Sequence, residues 1–127
     1  MKIETTILKN LLQNEEYARK VLPFLNDEYF TENSDKIVFN QINNFILKYN
    51  SLPNKEALTI ELSDAKITEE DFKESINLIN EIGKDDQEFS DLSWLLDSTE
   101  KFCQDKAIYN AVVESISILD NPKSTTD

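Results

Sequence analysis

One glycine in 127 residues is the feature that most restricts what this chain can become. Glycine supplies the positive φ that tight hairpin turns need, so with Gly83 alone a sheet of many short strands has almost nothing to connect it. The three prolines, Pro23, Pro53 and Pro122, fall where helices would start or stop. Between these marks apolar residues recur at three- and four-residue spacing, which predicts an all-α fold. The same scarcity excludes the phosphate loops G-x-x-x-x-G-K-[ST] and G-x-G-x-x-G, so no nucleotide or other cofactor is expected in this chain.

The chain is organised around Trp94 to Leu119, which reads as one long helix. Its first half carries a narrow stripe of Leu92, Leu95, Leu96, Thr99 and Phe102, enough to pack one side of the helix. In its second half Ile108, Tyr109, Ala111, Val112, Val113, Ile116, Ile118 and Leu119 spread over well more than half the circumference. Turning one side to the core then leaves another apolar side uncovered. Either this is the longest helix of a bundle with a wide core, or the second side meets a partner. On the partner reading, Ile108, Tyr109, Val112, Val113, Ile116 and Leu119 form the interface, and Trp94 and Phe102 seat the helix on the globule.

Ahead of it, residues 4–13 read as a short amphipathic helix broken at Gln13-Asn14, and Glu15 to Leu22 as a second helix ended by Pro23. Phe24 to Phe30 reads as one helical turn plugged into the core by Phe24, Leu25, Tyr29 and Phe30. Ile37, Val38, Ile42, Phe45, Ile46 and Tyr49 mark a core helix. Asn54 is placed to cap the next, and Thr68-Glu69-Glu70-Asp71 resembles a capping box for a helix closed by Gly83 at C′. A charged connector over residues 84–91 leads to the long helix, with Ser90 or Asp91 as its cap. This gives three regions: a helical globule over 1–90, the long helix over 91–120, and a tail over 121–127 expected to be disordered.

Twenty-five acidic residues against 13 basic ones give a net charge of −12, which repels phosphate backbones and anionic lipid. Direct nucleic-acid binding and membrane association are therefore not expected. Histidine is absent, which removes imidazole metal sites and the usual nucleophile–base pairs. The carboxylates Asp85, Asp86, Glu88 and Asp91 lack the order and the glycine of an EF-hand, so no metal site is expected. Cys103, the only cysteine, cannot form an internal disulfide and fits a reducing cytoplasm. The N-terminal apolar run is too short and interrupted for a signal peptide or a membrane span. An alternative reading of so acidic a surface is a free-standing acidic protein that binds and inhibits a host factor as a DNA mimic.

Taken in order, FLNDEYF, KIVFNQI, YNSLPNKEAL, ITEEDF and SWLLDSTEKFCQDKAIYNAV resemble the N-terminal domain of the DnaB-like replicative helicases of T-even-type bacteriophages, from about Tyr17 to about Val113. Where that family tends to carry Arg beside Ala, this chain has Lys106, which lacks the guanidinium fork. The resemblance implies a small helical globule followed by the first arm of a helical hairpin, with hairpins of neighbouring subunits pairing into a dimer or hexamer collar. It implies a non-catalytic part of a longer ATP-dependent DNA helicase, whose motor domain, with its ATP and Mg, lies outside these residues. It further implies primase, and conceivably a helicase loader, as partners, in the cytoplasm of a bacterial host.

Overall fold

The computed structural model describes residues 2–84 and 91–120, the side chain of Asp120 excepted. Among the described residues there are six α-helices and one 3₁₀ turn, and no strand: α1 (Ile3–Gln13), α2 (Glu15–Val21), the 3₁₀ turn (Asp27–Tyr29), α3 (Asn33–Tyr49), α4 (Lys55–Ser63), α5 (Glu69–Ile82) and α6 (Leu92–Asp120). The all-α expectation holds. The connector over 84–91 lies outside the described residues except at its two ends, Lys84 and Asp91, and the tail over 121–127 lies outside them altogether.

Short polar residues start the helices where the sequence puts them. The Asn14 side chain accepts from the Tyr17 N–H at 3.0 Å, that of Asn54 from Ala57 at 2.7 Å, and that of Thr68 from Asp71 at 3.1 Å. Each satisfies an orphan donor of a first turn and contributes about 1 kcal/mol. Asp91 does the same for α6, accepting from Ser93 at 3.2 Å. The capping box at Thr68 is only half made: the Asp71 carboxylate turns away and accepts from the Asn33 side chain at 3.0 Å, tying the start of α5 to the start of α3. An aspartate is one methylene too short to reach back as glutamate does.

Helices α1, α3, α4 and α5 enclose the core, with Ile7, Leu8, Leu11, Val38, Ile42, Leu58, Leu62, Ile79 and Ile82 all buried. Against one side of this cluster lie α2 and the first half of α6. Phe30 is the joint: its ring sits 5.2 Å from Phe39 on α3 and 5.8 Å from Phe102 on α6, centroid to centroid, in the tilted arrangement aromatic rings favour. Phe24, expected to plug the core beside Leu25 and Phe30, is instead 71% exposed. The chain turns directly after Val21, so Leu25 and Phe30 reach inward while Phe24 is left on the outside of the bend.

Gly83 follows α5 as expected, but with φ near −85°, a value any residue adopts. What requires glycine is space: a Cβ would meet the Ile79 carbonyl oxygen at 2.9 Å and the Lys55 side chain at 3.2 Å. The left-handed residue of the fold is Asn50, which ends α3 at φ 54°. Asparagine is among the side chains that tolerate this region. Arg19 holds that corner shut, donating to the Asn50 side chain and its carbonyl oxygen while paired with Glu15 at 2.9 Å.

One buried polar contact joins α2 to α6, the hydrogen bond between the Tyr17 hydroxyl and Thr99 Oγ1. Burial, offset in part by this hydrogen bond, pushes Tyr17 up to about 12. Thr99→Val removes the partner and leaves a buried hydroxyl unsatisfied, at a cost of about 1–3 kcal/mol in urea unfolding. The double variant Tyr17→Phe/Thr99→Val, which removes both polar groups, recovers most of that loss. Titration gives a second test. The folded tyrosine ionises near 12 against about 10 unfolded, so stability from this group is complete below pH 10 and is lost as pH rises toward 12. In a tyrosinate absorbance titration, one of the four tyrosines ionises last and together with unfolding.

Candidate functional site

Helix α6 spans 29 residues, and its two halves have different surroundings. In the first half Leu95, Thr99, Phe102 and Cys103 are buried, with Leu92 and Leu96 partly so. This is the stripe expected from spacing, with Cys103 added. At about 100° per residue these positions form one line along the helix, and that line continues as Lys106, Asn110, Val113 and Ser117. The continuation is mostly polar. Lys106 Nζ donates to the Thr31 hydroxyl at 3.3 Å, and Asn110 Nδ2 donates to the Glu28 carbonyl oxygen at 3.2 Å. Both of these tethers between α6 and the globule sit at the rim.

The apolar residues of the second half occupy a different side. Ile108, Leu119, Val112, Ile116, Tyr109 and Val113, in that angular order, form a continuous arc about 140° wide, centred about a third of a turn from the seating line. All six are 46–79% exposed. The expectation that one apolar side of this half faces the core is corrected: none of these residues is buried, and Val113 and Ile118 only border the globule beside Glu28 and Lys36. Tyr109, Val112, Ile116 and Leu119 follow three-four-three spacing, the seam of a coiled coil, with Ile108 and Val113 on its flanks. Two heptads of such a seam are a surface for another helix. Leaving each side chain half in water forgoes on the order of 1 kcal/mol of burial, and a contiguous patch of this kind on a small domain marks an interaction surface.

Of the two residues expected to seat the helix, Phe102 is 7% exposed and packs on Phe30. Trp94 is not in the core: it is 51% exposed, on the same side of α6 as Val112 but separated from it by the polar residues Asp97, Lys101 and Asp105. The seating is done by Leu95, Thr99, Phe102 and Cys103. Thr99 belongs to that stripe by its spacing, but its link to Tyr17 carries no local sequence signal, since the two lie 82 residues apart.

Among the described residues, nothing chemically reactive gathers near this helix. A groove of about 650 Å³ runs between α2 and α6, lined by Val21, Phe24, Leu96, Cys103 and Ala107, with Lys20 and Glu100 as its charged members. Burial pushes the Cys103 thiol up, away from the thiolate a nucleophile needs. Among the described residues no three acidic or cysteine side chains converge to hold a metal ion, and no helix is long and apolar enough to cross a membrane. The arrangement suits protein–protein contact.

No family model matches the chain. It is 32% identical over 115 residues to the DnaB-like replicative helicase of Enterobacteria phage T4. The aligned region is 91% of this chain and 24% of that protein, so the chain spans about a quarter of the relative's length, a share consistent with an N-terminal domain. The resemblance carried by the segments from FLNDEYF to SWLLDSTEKFCQDKAIYNAV therefore extends to nearly the whole chain.

The burial of Cys103 makes a direct prediction. Iodoacetamide labels it slowly in the folded protein and at the rate of a free thiol in urea, followed by mass spectrometry; equal rates in both conditions contradict its place in the α2–α6 seam.

Proposed function

We propose that this chain is the non-catalytic N-terminal collar domain of a phage replicative DNA helicase, and that the outer half of α6 is the arm by which subunits assemble. The observation that carries the reading is the exposed arc Ile108, Tyr109, Val112, Val113, Ile116 and Leu119, ordered as a helix seam and turned away from its own globule. The likeness to the phage T4 DnaB-like replicative helicase over most of this chain supports the setting. In that setting the longer protein is an ATP-dependent helicase whose nucleotide and Mg are held outside these residues, and the chain works in the cytoplasm of the infected cell.

The globule presents a second kind of surface. In a chain whose net charge is −12, its acidic surface attracts a basic partner and repels DNA, which suits recruitment of a primase, and of a loader, rather than contact with the nucleic acid being unwound. Assembly and recruitment are thus assigned to different parts of the chain: the apolar arm to other subunits, the acidic globule to accessory proteins.

Val112→Asp/Ile116→Asp tests the arm. Both side chains are about half exposed, so the double variant keeps the unfolding midpoint of the globule while two new charges disrupt the seam. Light scattering across a concentration series should show the parent protein gaining mass as concentration rises and the variant remaining monomeric. Identical mass curves for the two proteins contradict the proposal.

A further inference from the structure

Trp94 stays on the outside of α6, and the residues between it and the arm carry a pattern of their own. Steps of four, three, four, three and four residues lead from Trp94 through Ser98, Lys101, Asp105 and Ile108 to Val112, which puts all six in one row down the helix. The row lies more than a third of a turn from the seated line of Leu95, Thr99 and Phe102, and it joins the exposed seam at Val112. Trp94, Ile108 and Val112 are 51–65% exposed. Lys101 and Asp105 are exposed as well, and among the described residues neither enters a hydrogen bond or an ion pair. The middle of the row is thus one cation and one anion, and its two ends are apolar. Beside it a hollow of about 440 Å³ opens between the start of α1 and α6, with Ile3, Ser98 and Phe102 among its lining residues.

We propose that this row is the pairing face for α6 of a second copy laid antiparallel to it, with Lys101 and Asp105 of each copy setting direction and register. The inference rests on the assembly reading of α6 above and extends the contact from the arm to the seated half. The spacing reads the same from either end, so two antiparallel helices crossing beside residue 103 match the row to itself. Trp94 then meets Val112 of the second copy, Ser98 meets Ile108, and Lys101 meets Asp105, each contact occurring twice. A parallel pair would instead set Lys101 against Lys101 and Asp105 against Asp105, and like charges in register repel. An antiparallel pair shifted outward to the arms alone would leave both charges unmatched and Trp94 in water. In the register proposed, Ile108 of the second copy comes to the smallest side chain of the row, Ser98, and to the hollow beside it, as a knob enters a hole. The apolar end layers supply the attraction, because exposed ion pairs add little. The charged middle layers exclude the wrong orientation. A foreign helix would have to carry the same row in reverse, whereas a second copy carries it already.

The test is disulfide capture on the 127-residue protein carrying Ser98→Cys or Ile108→Cys, with the buried Cys103 left in place and the products read by mass spectrometry. An equimolar mixture of the two variants should give the mixed dimer linked between positions 98 and 108. Ser98→Cys alone should link to itself at least about tenfold less, because in an antiparallel pair its two copies lie about 15 Å apart along the axis, beyond the reach of a disulfide. Light scattering gives a second readout: Lys101→Glu should weaken self-association by about tenfold, and adding Asp105→Lys to it should restore the parent affinity. Both side chains are exposed, so neither change disturbs the globule. Efficient linking of Ser98→Cys to itself, absence of the mixed dimer, or unaltered association of Lys101→Glu would each overturn the arrangement. If the parent still gains mass with concentration in that case, the assembly reading survives the failure; a parent that stays monomeric defeats both.

Discussion

The structure depends on where one helix stops being seated. Up to Phe102 and Cys103, α6 presents an apolar line to α2 and to the Phe30 joint, and that line is buried. One turn later the same line reads Lys106 and Asn110, which end in hydrogen bonds at the edge of the globule. The apolar residues have meanwhile moved about a third of a turn around the helix axis, where they stay about half exposed or more, with Val113 at the edge bordering Glu28 and Lys36. A helix whose packing face shifts in this way serves two bodies. The Tyr17–Thr99 bond fixes its rotation against the first of them, so the direction of the free seam is set by the core.

Charge and apolar surface are divided along the same boundary. Acidic residues crowd the globule, where they solvate it, and burial together with neighbouring glutamates holds the Asp35 carboxyl above the usual carboxylate range. The outer half of α6 is poor in charge, with Glu114 the only ionisable side chain between Tyr109 and Leu119. Like-charged globules repel at long range, so any pairing through the arms must come from apolar burial close to the helix axis. That makes the seam short-ranged, and salt, by screening the repulsion between the globules, favours pairing through it.

Local rules recovered most of the fold from sequence. One glycine and period-3.6 spacing gave the helices, and Asn54, Thr68 and Asp91 announced starts that they do cap, while Asn14, read only as a break, caps α2 as well. What stayed illegible depended on position in space. Phe24 and Leu25 look equivalent in sequence, and only the bend after Val21 decides which is buried. Trp94 looked like an anchor by its size but falls on the outer side of α6. Gly83 looked like a left-handed cap, whereas its reason is space: the Ile79 carbonyl oxygen lies closest, and Lys55, 28 residues away in sequence, closes the other side. The candidate interface was legible as surplus apolar surface; that both its flanks are free was not, because spacing alone does not tell where a globule ends.

The central claim is that the second half of α6 is held as a helix by something other than its own globule. Amide hydrogen exchange read as a function of protein concentration tests this most directly, with amides 95–103 as the seated reference and amides 108–119 as the arm. Protection that climbs with concentration across 108–119 while staying constant across 95–103 is the predicted result. Protection at 108–119 that matches the seated half at high dilution and does not change with concentration would contradict it.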